Sequence, residues 1–167
     1  MILSLSTLAI WILGYIFSLS IASTLPLTTT NLLDGSITMH SPELETVDQE
    51  IKQLVERQAQ AWETADSEKI IADFAEDSLF IVPGSTFRGK QQIKESAEGY
   101  FAEFIDTQIT IKRIITNGNE GAIEWNWSEK NKKTGKTSQA EDAIVFELEG
   151  GKIKYWREYI DKHSQGN

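Results

Sequence analysis

From Thr46 onward the chain carries two hydrophobic periods, one after the other. Val47, Ile51, Leu54, Val55, Ala59 and Trp62 recur at three- and four-residue spacing. That spacing puts them on one side of an α-helix and leaves the intervening acids, glutamines and lysine to water. The run predicts an amphipathic helix to about Thr64, and Thr46-Val47-Asp48-Gln49 has the form of a capping box at its start. Ala65-Asp66-Ser67 breaks the pattern. Ser67 is placed to cap a short second helix whose buried stripe is Ile70, Ile71 and Phe74. Ser78-Leu79-Phe80-Ile81-Val82 is a β-rich run stopped by Pro83-Gly84. Phe87-Arg88-Gly89 then leads into a third helix with Ile93, Ala97, Tyr100, Phe101 and Phe104 on one side and Gly99 loosening its interior.

After Asp106 the period falls from 3.6 to 2. Residues 107–116, 120–130, 137–149 and 152–161 alternate or run apolar, separated by turns at Asn117-Gly118-Asn119, Lys132-Lys133-Thr134-Gly135 and Gly150-Gly151. Four long strands with short turns predict an antiparallel meander. Helices first and sheet afterwards give an α+β domain, three helices covering one face of a curved four-stranded antiparallel sheet, with the run at 78–82 as a short extra strand. On the last strand 154, 156, 158 and 160 share one side and 153, 155, 157, 159 and 161 the other. Alternation alone leaves open which side faces the core.

Charge divides the chain. Residues 1–41 hold no Lys or Arg and one acid, Asp34, whereas 24 acids and 15 bases fall within 42–161. The uncharged run 2–25, with its most apolar stretch from Ile10 to Leu19, fits either a secretory signal peptide or a membrane anchor. Ser20-Ile21-Ala22 offers the small residues of a cleavage site, and the base-free flank suits a domain on the non-cytoplasmic side, exported or membrane-anchored. Residues 26–41 read as a linker, 42–161 as the domain and 162–167 as a tail. A net charge of −9 without a basic stripe argues against a nucleic-acid partner.

The chain has no cysteine, and its two histidines, His40 and His163, fall in the linker and the tail. Thiolate chemistry, Ser-His-Asp catalysis and a His- or Cys-bound metal are therefore not expected, and no cofactor is implied. Proton transfer is left to carboxylates, tyrosine or lysine. Trp62, Trp125, Trp127 and Trp156 either stack on a flat ligand or fill the core and a dimer interface. Glu124 is a candidate partner for Arg157 across strands.

The order and spacing of several fragments carry a resemblance. They are Ala61-Trp62-Glu63-Thr64-Ala65-Asp66, then Phe74-Ala75-Glu76-Asp77-Ser78-Leu79-Phe80 followed by Pro83-Gly84, then Arg88-Gly89-Lys90-Gln91-Gln92-Ile93, then Ala122-Ile123-Glu124-Trp125. Val145-Phe146, Gly151-Lys152-Ile153, Trp156-Arg157-Glu158-Tyr159 and Asp161 complete the series. Over about residues 46–161 the chain resembles the SnoaL-like branch of the nuclear-transport-factor-2-like (NTF2-like) superfamily. The resemblance implies a cone-shaped fold with an apolar pocket, a few inward acids, and a homodimer through the exposed face of the sheet.

The ketosteroid-isomerase pattern of that superfamily would place its base at Val82, its tyrosine donor near Gln58 and its protonated acid near Ile144, so none of the three is matched. The polyketide-cyclase pattern places an acid at Glu158, although its companion histidine falls at Ile144. An epoxide-hydrolase arrangement would draw on Glu124, Arg157 and Asp161. The catalytic candidates implied are thus Glu158 first, then Arg157 and Asp161. Trp62, Glu124, Trp125, Trp127, Trp156 and Tyr159 are the candidates for ligand contact. The expected function is binding of a small apolar molecule with acid/base isomerisation or cyclisation. The alternative is a non-catalytic binding or dimerisation module.

Overall fold

Proline starts the first helix. The structure, a computed structural model, describes residues 42–162, with side chains from Thr46. The apolar run 2–25, the linker 26–41, His40 and the tail from His163 lie outside the described residues. Helix α1 spans Pro42–Glu63. Pro suits the first helical position because its fixed φ is already helical and its missing N–H would have had no partner there. Thr46 therefore lies inside the helix and the expected capping box does not start it. Among the described residues no helix is long and apolar enough to cross a membrane.

Helix α2 spans Ser67–Ala72, and its cap is Asp66 rather than Ser67, the Asp66 carboxylate accepting from the Lys69 N–H at 3.0 Å. The helix ends before Phe74, which is buried as the first residue of strand β1, Phe74–Val82, and not as part of a helical stripe. A hairpin at Pro83-Gly84 leads to β2, Ser85–Arg88. Helix α3 spans Gly89–Glu103. Its start is stabilised by Gln92, whose side-chain oxygen accepts from the Arg88 N–H at 2.9 Å. Strands β3 (Phe104–Asn117), β4 (Glu120–Asn131), β5 (Thr137–Glu149) and β6 (Lys152–Lys162) follow. Phe104 opens β3 instead of closing α3.

The sheet differs from the expected four-stranded antiparallel one. It has six strands in the order β2-β1-β6-β5-β4-β3 and is mixed, because β1 lies parallel to β6 with Phe80 opposite Trp156 and Ile81 opposite Arg157. The β3-β4-β5-β6 meander is as the turns predict, its last hairpin closing through Gly150 and Gly151 at φ +57° and +74°. Two consecutive positive φ values make a turn whose twist matches its strands and which side chains disfavour. Register irregularities interrupt β1, β3 and the β5–β6 pair, and such bulges bend a strand and increase its twist.

The covered face of the sheet packs against α1 and α3 through one continuous core that includes Val55, Trp62, Ile93, Ala97, Trp125, Ile144, Phe146 and Trp156. Gln58, 1 % exposed, sits in the apolar stripe of α1, and its amide donates to the Ile70 carbonyl at 3.0 Å and to Asp73 Oδ2 at 3.3 Å. Arg57 closes the same link with a 3.0 Å contact to Asp73 Oδ1. These bonds tie α1 to α2 and to the chain entering β1. Gln58 thus holds helices together and offers no donor to a ligand.

Candidate functional site

Strand β6 settles the facing of its own residues. Ile153 pairs with Leu148 and Tyr155 with Glu147, so one residue, Lys154, is extra on the β6 side. Beyond it, Trp156 is buried at 2 % exposure, Glu158 and Ile160 are half-buried, and Arg157, Tyr159 and Asp161 are exposed. The covered side therefore carries Trp156, Glu158 and Ile160. The Trp156 indole N–H donates to Glu158 Oε1 at 2.9 Å, two residues along the same strand.

Strand β5 places Ala140, Asp142, Ile144 and Phe146 on that same covered side. Asp142 is opposite Ile160, and Glu158 is opposite Ile144, so the two carboxyls are diagonal neighbours on adjacent strands. Asp142 is only 5 % exposed. One of its oxygens, Oδ2, accepts from the Trp125 indole N–H at 3.1 Å; the other, Oδ1, has no partner among the described residues. A third indole repeats the arrangement, Trp127 donating to Glu129 Oε2 at 3.0 Å and to the Tyr100 hydroxyl at 3.1 Å. Ser138 donates to the other Glu129 oxygen at 2.9 Å, and Tyr100 shares a 2.9 Å bond with Thr107.

Burial dominates the electrostatics. It pushes the Glu158 pKa up to about 8; the Trp156 N–H opposes the shift by stabilising the anion, and the negative charge of Asp142 adds to it. Burial likewise pushes Asp142 up to about 6, opposed by the Trp125 N–H and the distant Lys162 and helped by the charge of Glu129. Tyr100 is raised well above its ordinary value, again chiefly by burial, and remains a neutral phenol. Both carboxyls thus hold their protons to higher pH than free ones, Glu158 further than Asp142. Two neighbouring carboxyls with separated affinities have the chemistry that a general acid and a general base need.

An open cleft of about 700 Å³ lies between the β1–β2 turn (Val82, Pro83, Gly84, Ser85, Thr86) and the end of β6 (157–161). Glu158 and Ile160 are its members from the covered side, and Val82 stands near Glu158 at the end of β1. Four of the sequence candidates, Trp62, Trp125, Trp127 and Trp156, join Glu158 on this side. They form one aromatic chain: Trp62 to Trp127 at 5.6 Å between ring centroids, Trp127 to Trp125 at 6.1 Å and Trp125 to Trp156 at 5.9 Å. The other four lie on the opposite face. Glu124 pairs with Arg113 at 3.3 Å and not with Arg157, whose guanidinium stacks over the Tyr159 ring at 5.0 Å. Arg157, Tyr159, Asp161 and Glu124 thus lie on the other strand face, although Arg157, Tyr159 and Asp161 line the cleft with Glu158 and a second cleft of about 380 Å³ brings Glu124, Tyr159 and Asp161 beside Asp142.

Asp142 is the residue that sequence reasoning missed. Counting placed the penultimate-strand position at Ile144, two residues along the same face. The signal was nevertheless present, since Asp142 is the single ionisable residue in the stripe Ala140, Asp142, Ile144, Phe146. Among the described residues no three His, Cys, Asp or Glu side chains gather closely enough to hold a metal ion.

The family described as "SnoaL-like domain" matches residues 55–156. No curated protein matches the chain. Among solved structures, a putative SnoaL-like polyketide cyclase from Jannaschia sp. CCS1 superposes with a TM-score of 0.63 at 14% identity, over 73% of this chain and 90% of that one. A putative polyketide cyclase from Xanthomonas campestris pv. campestris gives 0.62 at 18% identity, covering 68% and 91%. An epoxide hydrolase from M. tuberculosis, described as LEH-like, gives 0.60 at 23% identity, covering 68% and 84%. At these identities the likeness concerns the fold.

Proposed function

Since this chain belongs to the SnoaL-like domain family, we propose that its covered sheet face receives a small, largely apolar molecule and isomerises or cyclises it by proton transfer. Glu158 is the general acid and Asp142 the companion base. The observation that supports this reading is the facing of β6, which turns Glu158 toward the core, beside a second buried acid, in a cleft walled by Val82 and Ile160. Protonated Glu158 donates to a carbonyl oxygen of the ligand, and ionised Asp142 stabilises or removes the proton that becomes acidic on the adjacent carbon. Enol formation and its reversal are the shared core of both reactions. The similarity to putative polyketide cyclases supports the same class.

The test is exchange of carbon-bound hydrogen. Cyclic 1,3-diketones and enones incubated with the chain in D2O should acquire deuterium next to the carbonyl, read by NMR, and Glu158→Gln should reduce the rate by about 100-fold or more, the usual contribution of a positioned acid. Exchange no faster than buffer for the whole panel, or equal rates for the variant, would remove the catalytic reading.

A second reading keeps the fold without chemistry. It is favoured by the outer face, where Val145, Tyr159 and Ile115 are exposed at 43%, 51% and 54%. We propose that a second copy of the chain covers this face as a homodimer. Sedimentation of the wild type against Val145→Lys distinguishes dimer from monomer; a wild type that is monomeric removes the proposal.

A further inference from the structure

We infer that the molecule taken by this cleft is an oxo acid, its carboxylate seated on Arg157, its reactive carbonyl turned to Glu158 and its apolar body against Val82, Pro83 and Ile160. The inference rests on the pocket reading above and specifies its ligand. The cleft exists because two neighbouring strands end at different points. β1 accompanies β6 only as far as Ile81 opposite Arg157 and turns back at Pro83-Gly84, whereas β6 continues to Lys162 with β5 alone beside it. From Glu158 onward one edge of β6 is therefore open, and residues of both its faces line the cleft: Glu158 and Ile160 from the covered side, Arg157, Tyr159 and Asp161 from the other. A ligand lying across that edge meets both sets.

Arg157 is held in place with its donors unspent. Its guanidinium lies over the Tyr159 ring, 5.0 Å from the ring centre, and such a contact uses the flat face of the group while its N–H bonds point outward in the plane. Its partners on the adjacent strands are apolar, Ile81 on β1 and Val145 on β5. Glu147, a diagonal step away on β5, makes no ion pair with it, and among the described residues no carboxylate or carbonyl accepts from it. Arg57 and Arg113, by contrast, are each paired with an acid. A planar cation with a free fork matches a carboxylate, which accepts two parallel bonds from it. The acids of the cleft set the orientation. Asp161 stands about 13 Å further along β6, with Glu141 opposite it, so an anionic group is repelled from that end and drawn to the Arg157 end. Glu158 is the next residue, but burial keeps its proton to higher pH than a free carboxyl, so it repels an anion less and can donate to a carbonyl. Side chains 157 and 158 leave the strand in opposite directions, so the carboxylate and the carbonyl of the ligand must be several bonds apart.

Calorimetric titration of the full chain near pH 7 with benzoylpropionate and benzoylbutyrate, each beside its methyl ester, tests this. At least one acid should bind about fivefold more tightly than its ester, the upper range for an exposed ion pair. Arg157→Gln should bring acid and ester to within about twofold of each other. Arg157→Lys keeps the charge without the fork and should restore part of the preference, whereas a loss caused only by a disturbed strand would not follow the charge. Esters that bind as tightly as the acids overturn the inference while the pocket stands, and so does a preference for the acid that survives Arg157→Gln. If neither acid nor ester binds, both fall.

Discussion

Replacing Glu158 with Gln should make the protein more stable than the wild type at alkaline pH, by an amount that the burial of the carboxyl sets. An unfolded chain loses this proton near 4.5, whereas the folded protein holds it to about 8. Between those values the native state binds more protons than the unfolded state, so stability is full below about 4.5 and falls as pH rises toward 8. The gap is worth about 5 kcal/mol at 1.36 kcal/mol per pH unit, of which about 4 kcal/mol is lost between about pH 5 and pH 9. Gln has the same shape and no proton to lose, and its amide oxygen still accepts from the Trp156 N–H. Near pH 5 the two proteins should therefore match to within about 1 kcal/mol. By pH 9 the variant should lead by about 4 kcal/mol. Urea unfolding followed by tryptophan fluorescence over this pH series gives the difference directly. Asp142 titrates in a lower window, from 3.8 to about 6, and contributes to both proteins alike. A difference that stays flat with pH would refute the placement of Glu158 in a desolvated site.

Two further outcomes follow from the packing. Trp125→Phe removes the only donor to Asp142 among the described residues, so the carboxylate loses its main stabiliser and its pKa should rise above about 6, measured by carboxyl-carbon NMR. The domain should lose about 1–3 kcal/mol in the same substitution. Gly121→Ala should destabilise by about 1–3 kcal/mol or prevent folding, because a Cβ there would lie 2.3 Å from the Ile115 carbonyl oxygen and 2.6 Å from the Phe146 ring. A thermal midpoint equal to wild type would show that the β3–β4 hairpin can move aside.

The meander was legible because its information is local. Alternation from 107 to 161 and the turn residues at 118, 135 and 150–151 fix strands that pair with their sequence neighbours. The parallel β1–β6 contact was not legible, since it joins Phe80 to Trp156 with no local pattern announcing a partner so far along the chain. Phe74 and Phe104 fit the helical stripes as well as the strands for a related reason: each is a large apolar residue at a helix–strand boundary, where both periods accept it. In the site, the facing of Glu158 depended on a bulge at Lys154 that no periodicity shows, and Asp142 was overshadowed by a register counted to Ile144. Glu124, Arg157, Tyr159 and Asp161 have suitable chemistry for a site, but strand parity sends them to the other face.

The position of β6 between β1 and β5 also governs when this protein can exist as a folded object. β6 is the strand that joins the β1–β2 hairpin to the meander, so the sheet stays in two pieces until residues 152–162 pair. Closing it brings together segments more than seventy residues apart, an entropic cost that slows folding. The strand that bears Glu158 is thus also the keystone: the sheet becomes one piece, and Glu158 comes beside Asp142, only when β6 pairs with its neighbours.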